Sequence, residues 1–333
     1  MDVRRVQITG GSSFMITLPK EWANSVGLNK NDTVGLQAQP DGTLSLYPKG
    51  TAPTPKRSTK VIDATNMMDR GFLYRQLVGA YIAGHSTMLI KSAQPMSSMV
   101  TSAVTNFVQT AVGLEMIEAD DSHILVANLI EHDAIDPKKI IERMGLLVKG
   151  MIFDLYEAAF TGNFENIKDM RSRDMEIDRI YWLTSRQCNI YQKDATASHK
   201  INLPLSEMTA CLSMSRVLEG IGDYVITMSD YLIFISKCGD VDHIDKEAHR
   251  FGQKINLLLA KAVKSWIDKD IALAEQSIKE ADEMIRGTDM VSRPNLAANA
   301  ICASANEVIM FSSKRLSEYC KDIAVFAFNM AME

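Results

Sequence analysis

The chain has 333 residues, 46% of them hydrophobic and 23% charged, with a formal net charge of −5. These proportions belong to globular chains, and the length allows two or three domains. No window approaches eighteen consecutive apolar residues, which excludes a membrane span, and the early arginines precede no apolar run of the kind a secretory leader needs.

Five cysteines (Cys188, Cys211, Cys238, Cys302 and Cys320) show no close pairing, which predicts reduced thiols and a cytoplasmic protein. Charge is uneven along the chain. Residues 1–60 hold eight Lys/Arg against four Asp/Glu, and the remainder holds 28 against 37. A basic head on an acidic body points to the head as the part that meets a polyanion.

In chain order, "VQIT" and "FMITL" read as strands around the turn composition "GGSS". Pro19 opens a short helix, since its missing N–H falls among the unpaired donors of a first turn, and Gly27 ends it. "DTVGLQAQ" and "TLSLYP" bracket "PDG", a hairpin signal. Residues 49–63 read as a linker, with prolines and basic pairs at 49–60 and no apolar period.

Residues 64–132 give helix, strand, helix, strand, strand, which predicts a small α+β subdomain. His85 and His123 stand alone there and suggest no chemistry. From Asp136 onward the chain reads as helix. Asp136–Pro137 is an N-cap followed by proline at the first helical position. Ile140, Met144, Leu147, Met151 and Leu155 form one stripe at helical period. A second helix spans about 164–191 and a third about 205–236. In the third, Cys211, Met214, Leu218, Ile221, Val225, Met228 and Leu232 form the seam of a bundle helix. Three further helices follow near 243–267, 269–286 and 296–331. The expected fold is therefore multidomain: an all-β head at 1–48, a linker, the α+β segment, and two three-helix bundles at 133–238 and 239–333.

An internal repeat carries carboxylates. Arg216, Glu219 and Asp223 recur 99 residues later as Arg315, Glu318 and Asp322, each set reading RxxExxxD. Positions i and i+4 share a helix face, so each Glu/Asp pair presents two carboxylates together, on a flank one step from the core seam. "RDMEID" adds Asp174, which falls on its helix's apolar stripe, and Asp178 one turn on. An inward aspartate needs a partner because unpaired burial of its charge costs several kcal/mol. Asp174, Asp178, Glu219 and Asp223 together are candidate ligands for iron, manganese, magnesium or zinc, with Glu318 and Asp322 a less complete second set. The simpler alternative is a solvated face with each Glu paired to its preceding Arg. Gly220 and Gly222, each costing about 1 kcal/mol in a helix interior, suggest a close approach or space for a ligand.

These carboxylate helices, "RDMEIDRIY" with "RVLEGIGDYV" and the second RxxExxxD, resemble the PhoU family of phosphate-uptake regulators over roughly residues 136–333. The resemblance implies tandem three-helix bundles able to hold metal clusters. It also implies contacts with a phosphate-transporter ATPase or a sensor kinase. Residues 4–48 resemble AbrB/SpoVT swapped-hairpin DNA-binding domains through the "GGSS" turn, "LPKEW", "GL" and "DGTL". That likeness implies a homodimer built through the N-terminal domain, with Arg4, Arg5, Thr9, Ser12, Ser13 and Lys20 facing DNA. Leu18 and Trp22 are expected in the core.

Together these readings predict a non-enzymatic, DNA-binding transcriptional regulator of phosphate uptake, with the body sensing metal, phosphate or a partner. The alternative is an adaptor that inhibits a phosphate transporter and its sensor kinase without touching DNA. A di-iron oxidase is disfavoured, because bundle sites of that kind need Glu-x-x-His motifs and none is present.

Overall fold

A computed structural model of the chain describes residues 3–11, 13–38, 42–48, 58–130, 136–193, 204–237, 246–291 and 300–332. Ser12, the Pro40–Asp41 step, residues 49–57 of the expected linker, and Cys238 lie outside the described residues. The chain divides into two compact units, residues 1–57 and 58–333.

The first unit is two β-hairpins and a short helix. Strands β1 (Gln7–Thr9) and β2 (Ser13–Met15) pair antiparallel, with Ile8 opposite Phe14. Gly10 and Gly11 have φ of 66° and 85°, a left-handed conformation that a side chain would strain, so the turn uses its glycines for backbone freedom. Helix α1 (Lys20–Ser25) follows Pro19 at its N-cap, and Gly27 (φ 65°) closes it. Strands β3 (Val34–Ala38) and β4 (Leu44–Pro48) form the second hairpin, pairing Leu36 with Leu46.

None of the described residues of this unit is buried. Phe14 is 79% exposed, Ile8 69% and Leu36 66%. Leu18 and Trp22, expected in a core, are only partly covered. The apolar residues that strand alternation assigns to an interior therefore find no interior within one chain.

The second unit opens with a strand where a linker was expected. β5 (Thr59–Asp63) pairs parallel with β6 (Thr87–Lys91), joined by α2 (Arg70–Ile82). Helix α3 (Ser98–Thr110) then leads to the hairpin of β7 (Leu114–Ala119) and β8 (His123–Asn128). The sheet order is β5-β6-β8-β7. Asp69 caps α2 by accepting from the Phe72 N–H at 3.0 Å, and Ser97 caps α3 by accepting from Val100. The helices and one face of the sheet enclose a core of Leu73, Leu77, Tyr81, Ile90, Phe107 and Val126.

Six long helices complete the unit: α4 (Pro137–Thr161), α5 (Met170–Lys193), α6 (Leu205–Ser236), α7 (Lys246–Asp268), α8 (Ile271–Val291) and α9 (Ala300–Met330). α4 starts as expected, Asp136 accepting from the Lys138 N–H at 2.9 Å with Pro137 inside the first turn, and ends at Gly162 (φ 70°). The seam of α6 is buried at all seven expected positions. The two sets of three share one continuous core, however, running from Ile140 to Ala327. Gly145 of α4 lies close against α7, where a Cβ would stand 3.3 Å from Val263.

Helix α5 also grips the α+β segment. Arg186 Nη1 donates to the Tyr81 carbonyl at 2.7 Å, Asn189 Nδ2 to Ile82 at 2.9 Å, and Lys193 Nζ to Ala83 at 2.7 Å. Three side chains on one face of α5 thus donate to carbonyls at the end of α2, where the Tyr81 carbonyl also accepts from the Gly84 N–H at 3.0 Å. Among the described residues, no helix is long and apolar enough to cross a membrane. Cys188, Cys211 and Cys320 are buried free thiols, with burial pushing Cys211 and Cys320 up to about 12.

Candidate functional sites: a basic hairpin and a carboxylate cluster

In the first unit, Arg4, Arg5, Thr9, Ser13 and Lys20 are all exposed. Thr9 and Ser13 sit opposite each other at the end of the first hairpin, and Lys20 begins α1. A left-handed glycine turn with hydroxyls on either side and arginines just upstream can place cations and donors against phosphates.

In the second unit, α5 and α6 bring their carboxylates together. Gly222 faces Asp174, and a Cβ there would stand 2.9 Å from Asp174 Oδ1 and 3.2 Å from Ile177. Asp174 Oδ1 is buried and lacks a hydrogen-bond partner among the described residues. Burial pushes the Asp174 carboxyl up to about 6, with the Asp223 charge adding to the rise and Arg171 opposing it. Burial likewise pushes Asp178 up to about 7, reinforced by Asp174, Glu219 and Asp223 and opposed by Arg216. Glu219 is raised by burial and by Asp223, although Arg216 donates to it.

The flank that carries Glu219 is covered by a neighbouring helix and not by solvent: Glu219 is only 8% exposed, because α5 packs over that side of α6. The Arg–Glu pairing offered as the simple alternative does form, in both repeats, as Arg216–Glu219 and Arg315–Glu318. It leaves Asp174, Asp178 and Asp223 without an ion-pair partner among the described residues. The other nearby arginines are engaged elsewhere, Arg171 with Asp230 and Arg173 with Asp154.

The four side chains are hard oxygen donors, and the buried Asp174 oxygen that Gly222 lets approach the α6 backbone is of the type that a cation would satisfy. Among the described residues, no three ligating groups stand as a formed coordination set. The cluster is thus a convergence of uncompensated charge that an ion would have to draw together.

The second set is built differently. Asp154 and Arg173 join α4 to α5, and the same link recurs between α7 and α8 with its signs exchanged, as Lys261 and Glu280 at 2.6 Å. Both links join residues 19 apart. This register places Ala281 and Ile285 where the first half has Asp174 and Asp178. Glu318 and Asp322 therefore face no aspartate pair from α8. Burial raises Asp322, with Arg315 opposing the rise. Glu280 and Asp282 each hold a lysine, Lys261 and Lys321. The reversed link was legible in principle as two charge-swapped residues at equal spacing, but only once the helix register was known.

Residues 141–232 match the PhoU domain family, and residues 7–54 match the family described as antidote-toxin recognition MazE, bacterial antitoxin. A comparison with curated proteins gives no match. The PhoU match covers α5 and most of α6 with all four clustered carboxylates, and the MazE match covers both hairpins of the first unit. The helical body is thus similar to PhoU domains over residues 141–232, and the N-terminal unit is similar to MazE-type domains over residues 7–54.

Proposed function

We propose that the chain is a DNA-binding regulator of phosphate uptake that works as a homodimer, its PhoU-type body reading a bound cation. The observation that carries this reading is the incompleteness of the N-terminal unit. It exposes Ile8, Phe14 and Leu36 on every hairpin and buries none of its described residues, so a second copy is what would supply its core. Pairing would also double the set of Arg4, Arg5, Thr9, Ser13 and Lys20, matching the two-fold symmetry of an operator.

In the body, Asp174, Asp178, Glu219 and Asp223 would hold the cation. An all-carboxylate donor set favours magnesium, manganese or iron over zinc. The ion would supply positive charge to the cluster. Helix α5 would carry the change, because its first turns hold Asp174 and Asp178 while its last turns clamp α2 through Arg186, Asn189 and Lys193. The response is conformational, and no step of covalent chemistry is required.

The test is a salt titration of binding to DNA from the region upstream of the protein's own gene. Several phosphate contacts make log K fall steeply with log salt, by about 0.9 per phosphate neutralised. Absence of binding to any duplex at low salt refutes the DNA reading. Manganese content unchanged by Asp174→Asn with Asp178→Asn refutes the cation site.

A further inference from the structure

The α+β segment holds a cleft that neither site described above uses. It has a volume of about 420 Å³ and lies at the carboxyl ends of the parallel strands β5 and β6, between the loops that lead into α2 and α3. That volume falls within the roughly 300–1,000 Å³ of small-molecule sites. The carboxyl ends of parallel strands are also where open α/β sheets hold their ligands.

Hydrogen bonds between the loops fix the frame of the cleft. The Ala64 N–H donates to the Lys91 carbonyl at 2.7 Å. Thr65 Oγ1 donates to Asp63 at 2.6 Å and accepts from the Ala93 N–H at 3.1 Å, so one hydroxyl joins both loops. The Met96 N–H donates to the Asp121 carbonyl at 2.8 Å, which anchors the second loop to the turn between β7 and β8.

The side chains that line this frame are left unemployed by it. Asn66 and Gln94 are exposed, and their side-chain amides make no hydrogen bond to a described residue. Met67 and Met99 pack partly against the core of the segment. Met68 beside them is 90% exposed, more than any other large apolar side chain described. No charged side chain lines the cleft among the described residues.

These groups suit one chemistry. Thioethers make favourable contacts with aromatic rings and adapt their shape to them. A carboxamide carries a donor and an acceptor side by side, the pair that answers the adjacent N6 donor and N7 acceptor of adenine. We propose that the cleft binds the adenine ring of a nucleoside or nucleotide. The Asn66 and Gln94 amides read its edge, and the Met67, Met68 and Met99 thioethers cover its face. The sugar and any phosphate stay in solvent. Helix α2 begins at the cleft and ends beneath the clamp from α5, so the site stands at one end of the helix that joins this segment to the body.

The experiment uses the full-length protein with methionine labelled with ¹³C at its methyl group, titrated with adenosine and followed by NMR. Resonances are assigned by replacing single methionines with leucine. The Met67, Met68 and Met99 methyls should move upfield under the ring current, while that of Met144, buried in the helical body, stays. Asn66→Leu with Gln94→Leu should weaken binding at least about tenfold, and uridine should bind the natural chain at least about tenfold more weakly than adenosine. AMP should bind within about threefold of adenosine, because its phosphate is left in screened solvent.

No movement of the three methyls at millimolar adenosine overturns the proposal. So does binding undiminished in the double variant, uridine bound as well as adenosine, or AMP bound at least about tenfold more tightly than adenosine. The uridine and AMP arms use the natural chain, so they decide the matter should the double variant fold poorly.

Discussion

Replacing Asp178 by asparagine removes the most perturbed charge of the cluster without changing its shape. In the folded chain burial and the neighbouring carboxylates hold Asp178 at about 7, against 3.8 for a free aspartate. At 1.36 kcal/mol per pH unit that difference is about 4 kcal/mol gross. The side chain is partly exposed, so solvent and salt screening reduce the effect to ~1–2 kcal/mol. Because the folded value lies above the unfolded one, the folded chain binds the proton more tightly. The corresponding stability is fully present below about pH 4 and is lost as pH rises through 7. Asp174, raised to about 6, acts in the same direction. Glu207 acts oppositely: hydrogen bonds from Lys269 and Lys138 lower it, and its contribution is lost as pH falls through that lowered value. Urea unfolding of the chelated protein should therefore show stability rising from pH 8 to pH 6. Asp178→Asn should be more stable than the natural chain at pH 8 by ~1–2 kcal/mol, with a shallower rise. An unchanged slope between pH 6 and 8, or an Asp178→Asn chain weaker at pH 8, would refute the account of the cluster as uncompensated charge.

Three further outcomes are expected. Phe14→Asp puts a charge on the most exposed apolar strand position of the first unit and should convert a dimer to monomer in light scattering, with DNA binding lost alongside. Gly252→Ala should destabilise by ~3 kcal/mol or more in urea unfolding, because its Cβ would fall 2.2 Å from the ring of Tyr156. That ring is fixed by burial and by a 2.6 Å hydrogen bond to Ser313, so it has nowhere to move. Arg186→Met should cost no more than ~1 kcal/mol or even stabilise, whereas Arg186→Ala should cost ~2–4 kcal/mol through the cavity it leaves. Arg186 is 1% exposed, and its Nε and Nη2 have no hydrogen-bond partner among the described residues, so Met gives up one hydrogen bond and the contact of the guanidinium with the Tyr81 ring at 4.9 Å while relieving two orphaned donors.

The sequence by itself determined what depends on neighbours along the chain. Helical period identified the α6 seam from Cys211 to Leu232, and Asp136–Pro137 marked the start of α4. The glycine pair at 10–11 marked a turn, and the RxxExxxD frame exposed the repeat. Each of these is a local rule of spacing, capping or backbone freedom, and folding left it intact. The carboxylates were legible as residues at a spacing, but their environment was not. Glu219 is buried because α5 covers it, and helical period within α6 carries no information about what packs outside. Strand β5 was missed because five residues of mixed polarity acquire strand character only by pairing with β6, which lies 28 residues on. The register between helices was decided by tertiary structure alone. Only once α8 is set against α7 by Lys261–Glu280 do Ala281 and Ile285 fall where Asp174 and Asp178 stand, and only then does Lys321 face Asp282. Arg186 belongs to the same class, since a guanidinium in a helical stretch reads as solvated until the end of α2 closes over it. The physical reason is common to all of these: local sequence sets which face of an element is apolar, and the relative sliding of packed elements sets which charges meet.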